Sequence, residues 1–356
     1  MSGSDSSGRR PIRVLIVDDS ALVRSVLSRG LAADGGIEVV GTASDPYVAR
    51  DLLVKLRPDV LTLDVEMPRM DGVTFLRKFM AVLPTPTVVL SSLTTRGSSL
   101  AVQALEAGAI EVLTKPSIGV ASGIEEMMAS LIRSVKIAAQ SHVARREIPP
   151  IEPAAPNATA LQRSTDFVMG LGASTGGVAA LGRILPIFPA WSPGIVIVQH
   201  MPSGFTADFA SRLDGLCQMR VSEARDGDRV LRGHILVAPG GARHLEVRRF
   251  GGEYRVHLIP GDPQSGHVPS VDVFFNSLAQ YVASNATACL LTGMGADGAA
   301  GLLKLRQAGG HTFAQDRETS AVWGMPAAAA ELGAAERLVP LHEIPSVLLG
   351  WSGAHS

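Results

Sequence analysis

The sequence predicts an α/β protein made of two doubly wound parallel-sheet domains joined by a proline-rich linker. With 356 residues, the chain is too long for one ordinary hydrophobic core, so we expect two domains. In both halves, short apolar runs alternate with helix-compatible stretches, which is typical of parallel strands with crossover helices. Between the halves, residues 141–164 contain four prolines, too many for a helix or a central strand, so we interpret them as an extended tether.

The composition excludes several classes of protein. Apolar residues make up 46% of the chain, which excludes general disorder, and a net charge of −1 gives no sign of a nucleic-acid or acidic-membrane partner. Two cysteines, Cys217 and Cys289, are too few for a disulfide framework. The polar residues 1–10 lack the apolar segment of a signal peptide, and no apolar run is long enough to span a bilayer. We therefore expect a cytoplasmic protein without direct membrane insertion.

The first half alternates strands with helices. Ser20 and Pro46 mark the starts of two predicted helices, at residues 21–31 and 46–56. Apolar, β-branched runs predict five buried parallel strands at residues 13–17, 37–43, 59–64, 87–92 and 111–115.

Polar side chains end or follow four of these strands: Asp18, Asp19, Asp64, Ser91 and Lys115. In a doubly wound sheet the carboxyl ends of the strands border the ligand crevice, so we expect these side chains to converge there. Three clustered carboxylates favour a hard cation such as Mg²⁺, and a cation, a lysine and a hydroxyl around one carboxylate suit phosphoryl transfer onto it. The alternative, acidic caps on a solvated rim, explains one such residue more easily than five matched ones.

This half resembles the receiver domain of two-component response regulators over about residues 12–135. The resemblance implies a flavodoxin-like fold and a chemotaxis histidine kinase as phosphodonor. Receivers often carry an aromatic residue three positions before the lysine, and here that position is Val112, so we do not expect a relay through an aromatic ring. The matching motifs are Val17–Ser20 (VDDS), Leu63–Pro68 (LDVEMP), Met70–Gly72 (MDG) and Thr114–Pro116 (TKP).

The same resemblance implies a role for each of the five polar residues. Asp64 is the implied phosphoacceptor, and Asp18 and Asp19 are expected to hold Mg²⁺ together with it. Ser91 and Lys115 are the implied switch pair that contacts the phosphoryl group.

A strand, a tight turn and a helix are predicted around Ser174. Residues 172–176 (GASTG) fit the G-x-S-x-G pattern of a nucleophile elbow, which places a serine hydroxyl at the carboxyl end of a strand. Gly/Ser/Thr turns after strands are also common without catalysis. A dinucleotide-binding fingerprint is a weaker interpretation, because its third glycine would be needed at Thr175.

Two further strands end beside residues that suit acyl transfer. His200 ends an apolar run, and Asp297 lies in the Gly-rich turn after another. Because each follows a buried strand, we expect Ser174, His200 and Asp297 to face one crevice. They supply a nucleophile, a base near neutral pH and a carboxylate that orients the base. The backbone N–H of Met294, in the same Gly-rich turn as Asp297, is the candidate donor to an oxyanion.

Each of these residues has an alternative interpretation. His200 could be a capping or packing residue, and Asp297 could cap the helix predicted at residues 299–308. A Ser–Asp–His order would pair Ser174 and Asp297 with His311. His311 begins an apolar run whereas His200 ends one, so we predict His311 at the opposite edge of the sheet and prefer His200. The histidines lack convincing metal-ligand spacing, which argues against a zinc hydrolase.

The second half resembles the catalytic domain of the chemotaxis methylesterase family, CheB, over about residues 165–350. The resemblance implies a Rossmann-like serine hydrolase domain without a cofactor in its active site. The matching motifs are Gly172–Gly177 (GASTGG), Gln199–Pro202 (QHMP), Pro269–Asp272 (PSVD), Leu291–Gly295 (LTGMG) and Asp297–Gly298.

The family resemblance also implies an activity and site roles. It implies hydrolysis of glutamyl γ-methyl esters on methyl-accepting chemotaxis receptors, and often deamidation of receptor glutamines. It implies the triad Ser174–His200–Asp297. Thr175 is expected to help hold His200, and Met294 to line the oxyanion site.

We therefore expect a disordered tail at residues 1–11, a receiver at 12–140, a linker at 141–164 and a catalytic domain at 165–352. Phosphorylation of Asp64 is expected to uncover the catalytic crevice. Two alternatives stay open at this point: a phosphorylation-controlled adaptor whose second domain only binds a partner, and an esterase that acts on a membrane receptor outside chemotaxis.

Overall fold

The computed structural model describes residues 10–92, 94–115, 121–141 and 167–352. The chain divides into two compact units, of which the first ends at Val143. The predicted linker and most of the predicted N-terminal tail lie outside the described residues. The domain boundaries therefore stay predictions, although a division of the chain near them is consistent with the expected organisation.

The first unit is a five-stranded parallel sheet with strand order β2-β1-β3-β4-β5. This is the flavodoxin-like order, so the fold class predicted for this half is confirmed. Its strands are β1 (Ile12–Val17), β2 (Ile37–Ala43), β3 (Val60–Asp64), β4 (Thr87–Ser91) and β5 (Glu111–Thr114). Its helices are α1 (Ala21–Ala32), α2 (Pro46–Leu56), α3 (Gly72–Met80), α4 (Thr95–Glu106) and α5 (Ala121–Ala138).

Local sequence fixes the helix starts in the first unit. The side chains of Ser20, Asp45, Asp71 and Thr94 each accept a hydrogen bond from a backbone N–H in the first turn of the helix that follows. β3 and β4, in the middle of the sheet, are buried along their whole length, as expected of strands covered on both faces. The carboxyl ends of the strands are therefore held in a fixed arrangement.

The second unit is a seven-stranded sheet with order β14-β13-β12-β6-β7-β9-β8, and every described pair in it is parallel. Its strands are β6 (Val168–Ala173), β7 (Gly194–Gln199), β8 (Arg220–Glu223), β9 (His234–Val237), β12 (Ala286–Leu290), β13 (His311–Gln315) and β14 (Arg337–Val339). The chain extends from β6 to β7 on one side and returns with β12 on the other. The direction of winding thus reverses at β6, and ligand crevices form at such a reversal.

Two strands of the second unit do not join this sheet. β10 (Arg243–Phe250) and β11 (Glu253–Pro260) instead pair with each other as an antiparallel ribbon. The helices of the unit are α6 (Gly177–Ile184), α7 (Thr206–Asp214), α8 (Val271–Tyr281), α9 (Ala299–Gln307), α10 (Met325–Glu331) and α11 (Ile344–Ser352). Within the described ranges, no helix combines the length and the apolar character needed to cross a membrane.

The glycines of β6 make room for α8. A Cβ at Gly172 would lie 2.3 Å from Val271 Cγ1, and one at Gly170 would lie 2.7 Å from Leu278 Cδ1. These glycines therefore allow close helix-on-strand packing inside the core. They lie within β6 rather than in the turn after it, which removes the basis for the dinucleotide-binding interpretation.

Candidate functional site

The turn between β6 and α6 holds Ser174. The Ser174 N–H donates to the Thr292 carbonyl at 3.0 Å, which ties the turn to the segment that follows β12. The side chain of Gln199, the last residue of β7, donates through Nε2 to the carbonyls of Ser174 and His200, both at 2.9 Å. Gln199 is almost completely buried. It therefore links the nucleophile turn to the end of the neighbouring strand.

The close approach of the Gln199 side chain explains why glycine occupies position 177, the first residue of α6. A Cβ at Gly177 would lie 2.1 Å from Gln199 Oε1, a distance that Cβ atoms do not adopt. Only glycine therefore lets the buried amide sit against the start of α6. Gln199 was part of a motif matched in the sequence, but nothing in the sequence alone pointed to this bridging contact.

His200 and Asp297 form a buried pair. His200 Nε2 lies 2.8 Å from Asp297 Oδ2, and the two side chains are 6% and 1% exposed. The carboxylate also accepts from Ser270 Oγ at 2.7 Å, from the Val271 N–H at 2.7 Å and from the Asp272 N–H at 3.1 Å. The amino-terminal end of α8 thus points at Asp297, a favourable position for an anion.

The environment keeps Asp297 ionised. Burial alone would raise its pKa, but the bonds from His200, Ser270 and the Val271 N–H outweigh burial and lower the pKa below its ordinary value. An ionised carboxylate at His200 Nε2 requires a proton on that nitrogen. His200 therefore donates Nε2–H to Asp297 and keeps Nδ1 as the basic atom.

The structure settles two alternatives raised by the sequence. Asp297 does not cap the helix that follows it, because Gly298 is the N-cap of α9 and makes no side-chain capping bond. His311 pairs with Thr287 at the start of β12 and stacks on Trp351, with ring centroids 3.8 Å apart. The prediction that His311 lies at the opposite edge of the sheet is confirmed.

Ser174 and His200 follow neighbouring strands at the same level. The register pairs Ala173 of β6 with Gln199 of β7, so the next residue of each strand enters the crevice together. His200 Nδ1 is buried and has no hydrogen-bond partner among the described residues. Ser174 Oγ forms no hydrogen bond within the same ranges. Such nucleophile–base bonds are often loose in unliganded enzymes.

The first unit brings its predicted carboxylates together. Oxygens of Asp18, Asp19 and Asp64 lie within 4.8 Å of one another, with Asp18 and Asp64 buried and Asp19 exposed. Lys115 Nζ lies 2.8 Å from Asp18 Oδ2 and 2.7 Å from Asp64 Oδ2. Three carboxylate oxygens in this space form a hard donor set of the kind Mg²⁺ prefers, so the residues fit the expected ion.

Burial and neighbouring charges shift the pKa values of Asp64 and Lys115 in opposite directions. Burial raises the pKa of Asp64 above its ordinary value, and the nearby Lys115 ammonium only partly offsets this effect. Burial would lower the pKa of Lys115, but the carboxylates of Asp64 and Asp18 outweigh it and raise the pKa. The buried phosphoacceptor candidate thus carries a net cost when it is ionised.

Ser91 and Val112 lie in β4 and β5, the last two strands of the first unit. The Ser91 hydroxyl donates to the Gly97 carbonyl at 2.9 Å, in the first turn of α4, and makes no bond to Asp64 in the described ranges. Its predicted role as a switch residue stays a prediction. Val112 is buried in β5. Pro116, the last residue of the matched TKP motif, lies outside the described residues.

Family comparisons cover both units. The pattern of the family described as CheB methylesterase matches residues 169–348, and that of the response regulator receiver domain matches residues 14–121. The chain belongs to the CheB methylesterase family.

Relatives of this family match nearly the whole chain. The "protein-glutamate methylesterase/protein-glutamine glutaminase 2" of Cereibacter sphaeroides is 55% identical over 337 residues, which cover 95% of this chain and 91% of the relative. A protein of the same name from Syntrophotalea carbinolica, without the number, is 52% identical and covers 93% and 95%. The crystal structure of the Thermotoga maritima CheB methylesterase catalytic domain, at 38% identity and a TM-score of 0.50, covers 52% of this chain and 97% of its own.

The two predicted supporting residues, Met294 and Thr175, lie in turns that follow β12 and β6. Met294 lies in the turn after β12 with an exposed side chain, and its N–H has no partner in the part of the chain described. Thr175 is buried, and its carbonyl accepts from Thr292 Oγ1 at 2.9 Å. The Thr175 hydroxyl makes no hydrogen bond to His200 among the described residues. Both roles remain predictions.

Sequence reasoning missed two contacts of the His200–Asp297 pair. The His267 ring stacks on the His200 ring with centroids 3.8 Å apart and an angle of 12° between planes. Burial, helped by the charge of His200, lowers the pKa of His267 to about 4. The second missed contact is the hydrogen bond from Ser270 Oγ to Asp297, although Ser270 lies in the matched PSVD motif. The presence of a polar residue in that motif was the available signal.

Proposed function

We propose that the second unit is a serine hydrolase that demethylates glutamyl γ-methyl esters on methyl-accepting chemotaxis receptors. We propose that it also deamidates receptor glutamines, because ester and side-chain amide differ only in the leaving group. The observation that carries this proposal is the buried His200–Asp297 pair: Ser174 and His200 follow neighbouring strands in register, and within the described residues His200 Nδ1 has no hydrogen-bond partner. The printed names of the family relatives support the same substrate class.

The mechanism follows from the protonation state of His200. Ser174 Oγ attacks the ester carbonyl while Nδ1 of His200 takes the hydroxyl proton. The imidazolium that forms is stabilised by the Asp297 carboxylate at Nε2. His200 then returns the proton to the methoxide, the carbon–oxygen bond breaks, and methanol leaves. Water, activated by the same nitrogen, hydrolyses the acyl-serine and restores Ser174. An amide substrate releases ammonia instead.

One backbone group in the crevice, the N–H of Met294, suits stabilisation of the tetrahedral intermediate. The Met294 N–H is unpartnered among the described residues, so it is free to donate to the oxyanion without breaking an existing bond. The Ser174 N–H already donates to Thr292, so we do not assign it that role. Thr175 is proposed to support His200 when substrate orders the crevice.

We further propose that the first unit is phosphorylated on Asp64 by a chemotaxis histidine kinase. Asp18, Asp19 and Asp64 would hold Mg²⁺, which neutralises phosphoryl oxygens when it is bound. Lys115, already bonded to Asp64, would pair with the phosphoryl group. Ser91 would exchange its bond to the Gly97 carbonyl for one to a phosphoryl oxygen. Phosphorylation is proposed to raise hydrolase activity by uncovering the crevice.

The experiment that tests the hydrolase assignment replaces Ser174. Ser174→Ala should lower methanol release from membranes that carry a methyl-esterified receptor by roughly 10⁴- to 10⁶-fold. Ser211→Ala, which changes an exposed serine on α7, is the matched control and should keep full activity. Near-normal turnover by Ser174→Ala would reject the assignment. An adaptor without catalysis, by contrast, predicts no methanol release by the unmodified chain.

A further inference from the structure

One loop contacts both members of the His200–Asp297 pair. The loop joins β11 to α8 and covers residues 261–270. At its far end, Ser270 and the N–H of the next residue bond to the Asp297 carboxylate. Three residues earlier, the His267 ring lies nearly parallel to the His200 ring at 3.8 Å. The loop therefore restrains the imidazole and the carboxylate at the same time.

The loop is itself anchored. Gln264 and His267 exchange two backbone hydrogen bonds, of 3.2 and 3.0 Å, which close a tight turn immediately before the stacked ring. The buried His244 side chain of β10 holds the two ends of the loop together. Its Nδ1 accepts from the Ser270 N–H at 3.1 Å, and its Nε2 donates to the Asp262 carbonyl at 3.1 Å. His267, which is half-buried, is thus held by the backbone bonds of an exposed turn, while the buried His244 side chain holds the ends of the loop.

We propose that His267 is a positioning residue for the hydrolase reaction, and that its ring holds the His200 imidazole in the one orientation that directs Nε2 at Asp297 and Nδ1 into the crevice. The inference rests on the proposed function and extends it. Within the described residues the Nδ1 side of His200 has no bond of its own, so the Asp297 bond fixes only one edge of the ring. A face-to-face neighbour restricts rotation about the axis through that bond.

The charges around the pair favour a neutral stacking partner. Two titratable groups contact His200: Asp297, in the turn before α9, and His267, in the loop before α8. A third group, Asp272, lies next to Asp297 and accepts a hydrogen bond from the Gly301 N–H. His267 stays uncharged at neutral pH because its pKa is about 4. A neutral aromatic face next to an imidazolium is attractive, whereas a second cation would repel it. Stacking therefore tolerates the charge that His200 acquires in each cycle.

The test distinguishes three possible roles of the His267 side chain: a planar ring that stacks, a group that exchanges a proton, and a group that only fills space. In the full-length chain with a phosphodonor, His267→Ala and His267→Leu should each lower kcat for methanol release about 10-fold, because both lose the planar face. His267→Phe should stay within about 3-fold of the unmodified chain. The acidic limb of its kcat/KM profile should not move, since neither Phe nor neutral His267 takes up a proton there.

Controls distinguish failure of this inference from failure of the proposed function. His257→Ala, at a half-exposed histidine of β11 paired with Asp226, should leave kcat unchanged. If Ser174→Ala abolishes turnover but His267→Ala and His267→Leu match the unmodified chain, only the inference fails. It also fails if His267→Phe is as impaired as His267→Leu, since a ring nitrogen would then be needed. Active Ser174→Ala would instead remove the proposed function itself.

Discussion

Asp297 is a buried carboxylate held by residues far away in the sequence. Its partners are an imidazole at the end of β7 and the first turn of α8, which contributes one hydroxyl and two N–H groups. The protonated and ionised forms of Asp297 differ in how many hydrogen bonds they can accept from these donors. Only the ionised form accepts from all of them, which is why its pKa is lowered despite burial.

Asp297→Asn should therefore reduce kcat strongly while keeping the fold. The amide retains an acceptor for the α8 donors, but it can present an N–H to His200 and favour the wrong tautomer. We expect a loss of about 10³- to 10⁴-fold in kcat, by analogy with other hydrolytic triads. Steady-state methanol release measures it, with thermal unfolding as the check on folding. A loss below 10-fold would contradict the role of Asp297 in orienting His200.

The lowered pKa of Asp297 also predicts how stability varies with pH. A carboxyl whose folded-state pKa is lowered stabilises the fold above its unfolded pKa, and loses that contribution as pH falls through the folded value. The unfolding midpoint of the unmodified chain should therefore exceed that of Asp297→Asn at pH 7. The difference should shrink as the pH falls below the ordinary Asp range. A constant difference across this range would argue against an ionised Asp297.

Asp64 has the opposite electrostatic balance. Its raised pKa means that its contribution to stability is present below the unfolded pKa and is lost as pH rises through the folded value. At pH 7 and without a cation, Asp64→Asn should therefore raise the unfolding midpoint of the first unit. The control Asp51→Asn changes an exposed carboxylate and should have little effect. A lower midpoint for Asp64→Asn would show that Lys115 more than compensates for burial.

At the scale of elements, the strand–turn–helix around Ser174 depends on a contact between neighbouring segments. α6 begins against the buried amide of Gln199, which bonds to the carbonyls of Ser174 and His200. Those two bonds set the distance between the turn that holds Ser174 and the end of β7. Glycine at position 177 is the residue that makes this spacing possible.

Gly177→Ala should displace Gln199 and lower kcat by about 10-fold or more, because a small misplacement of reacting groups is costly. Gly182→Ala, on the same helix with no atom within 4 Å of the added Cβ, is the matched control. It should keep activity and raise stability by about 0.5–1 kcal/mol, as expected for glycine replaced within a helix. Equal activity in both variants would show that Gln199 is not required at its present position.

Sequence patterns predicted the strands and the residues that end them, because burial and strand polarity are local properties. Asp18, Asp64 and His200 lie at or directly after the ends of strands, as expected, and Asp297 lies in the expected turn after β12. The contacts of α8 were not predictable in the same way. Its first turn bonds to a carboxylate 25 or more residues further along the chain, a pairing that only tertiary packing creates. The stacking of His267 on His200 was missed for the same reason.

At the scale of the whole molecule, two units with separate chemistry share one chain. The first presents a buried carboxylate with a lysine, and the second presents an imidazole–carboxylate pair beside a serine. A receiver domain joined to a hydrolase domain suggests that the first unit controls the second. Such control requires that phosphorylation change the free energy of an interaction between the units.

Removal of residues 1–140 should therefore raise basal esterase activity and abolish any response to a phosphodonor. Asp64→Asn in the full chain should keep the basal rate and also fail to respond. Methanol release with and without an acyl phosphate and Mg²⁺ measures both. Unchanged or lower activity after truncation would count against an inhibitory first unit, and a response by Asp64→Asn would reject Asp64 as phosphoacceptor.

The central claim is that Ser174 is a nucleophile activated by His200. Treating the full-length chain with a serine-reactive phosphonate and mapping the adduct by peptide mass spectrometry tests it most directly. The account predicts one major adduct, on Ser174, formed at least about 100-fold more slowly in His200→Gln, because the general base is lost. Labelling of other serines alone, or labelling of Ser174 at the same rate in His200→Gln, would contradict it.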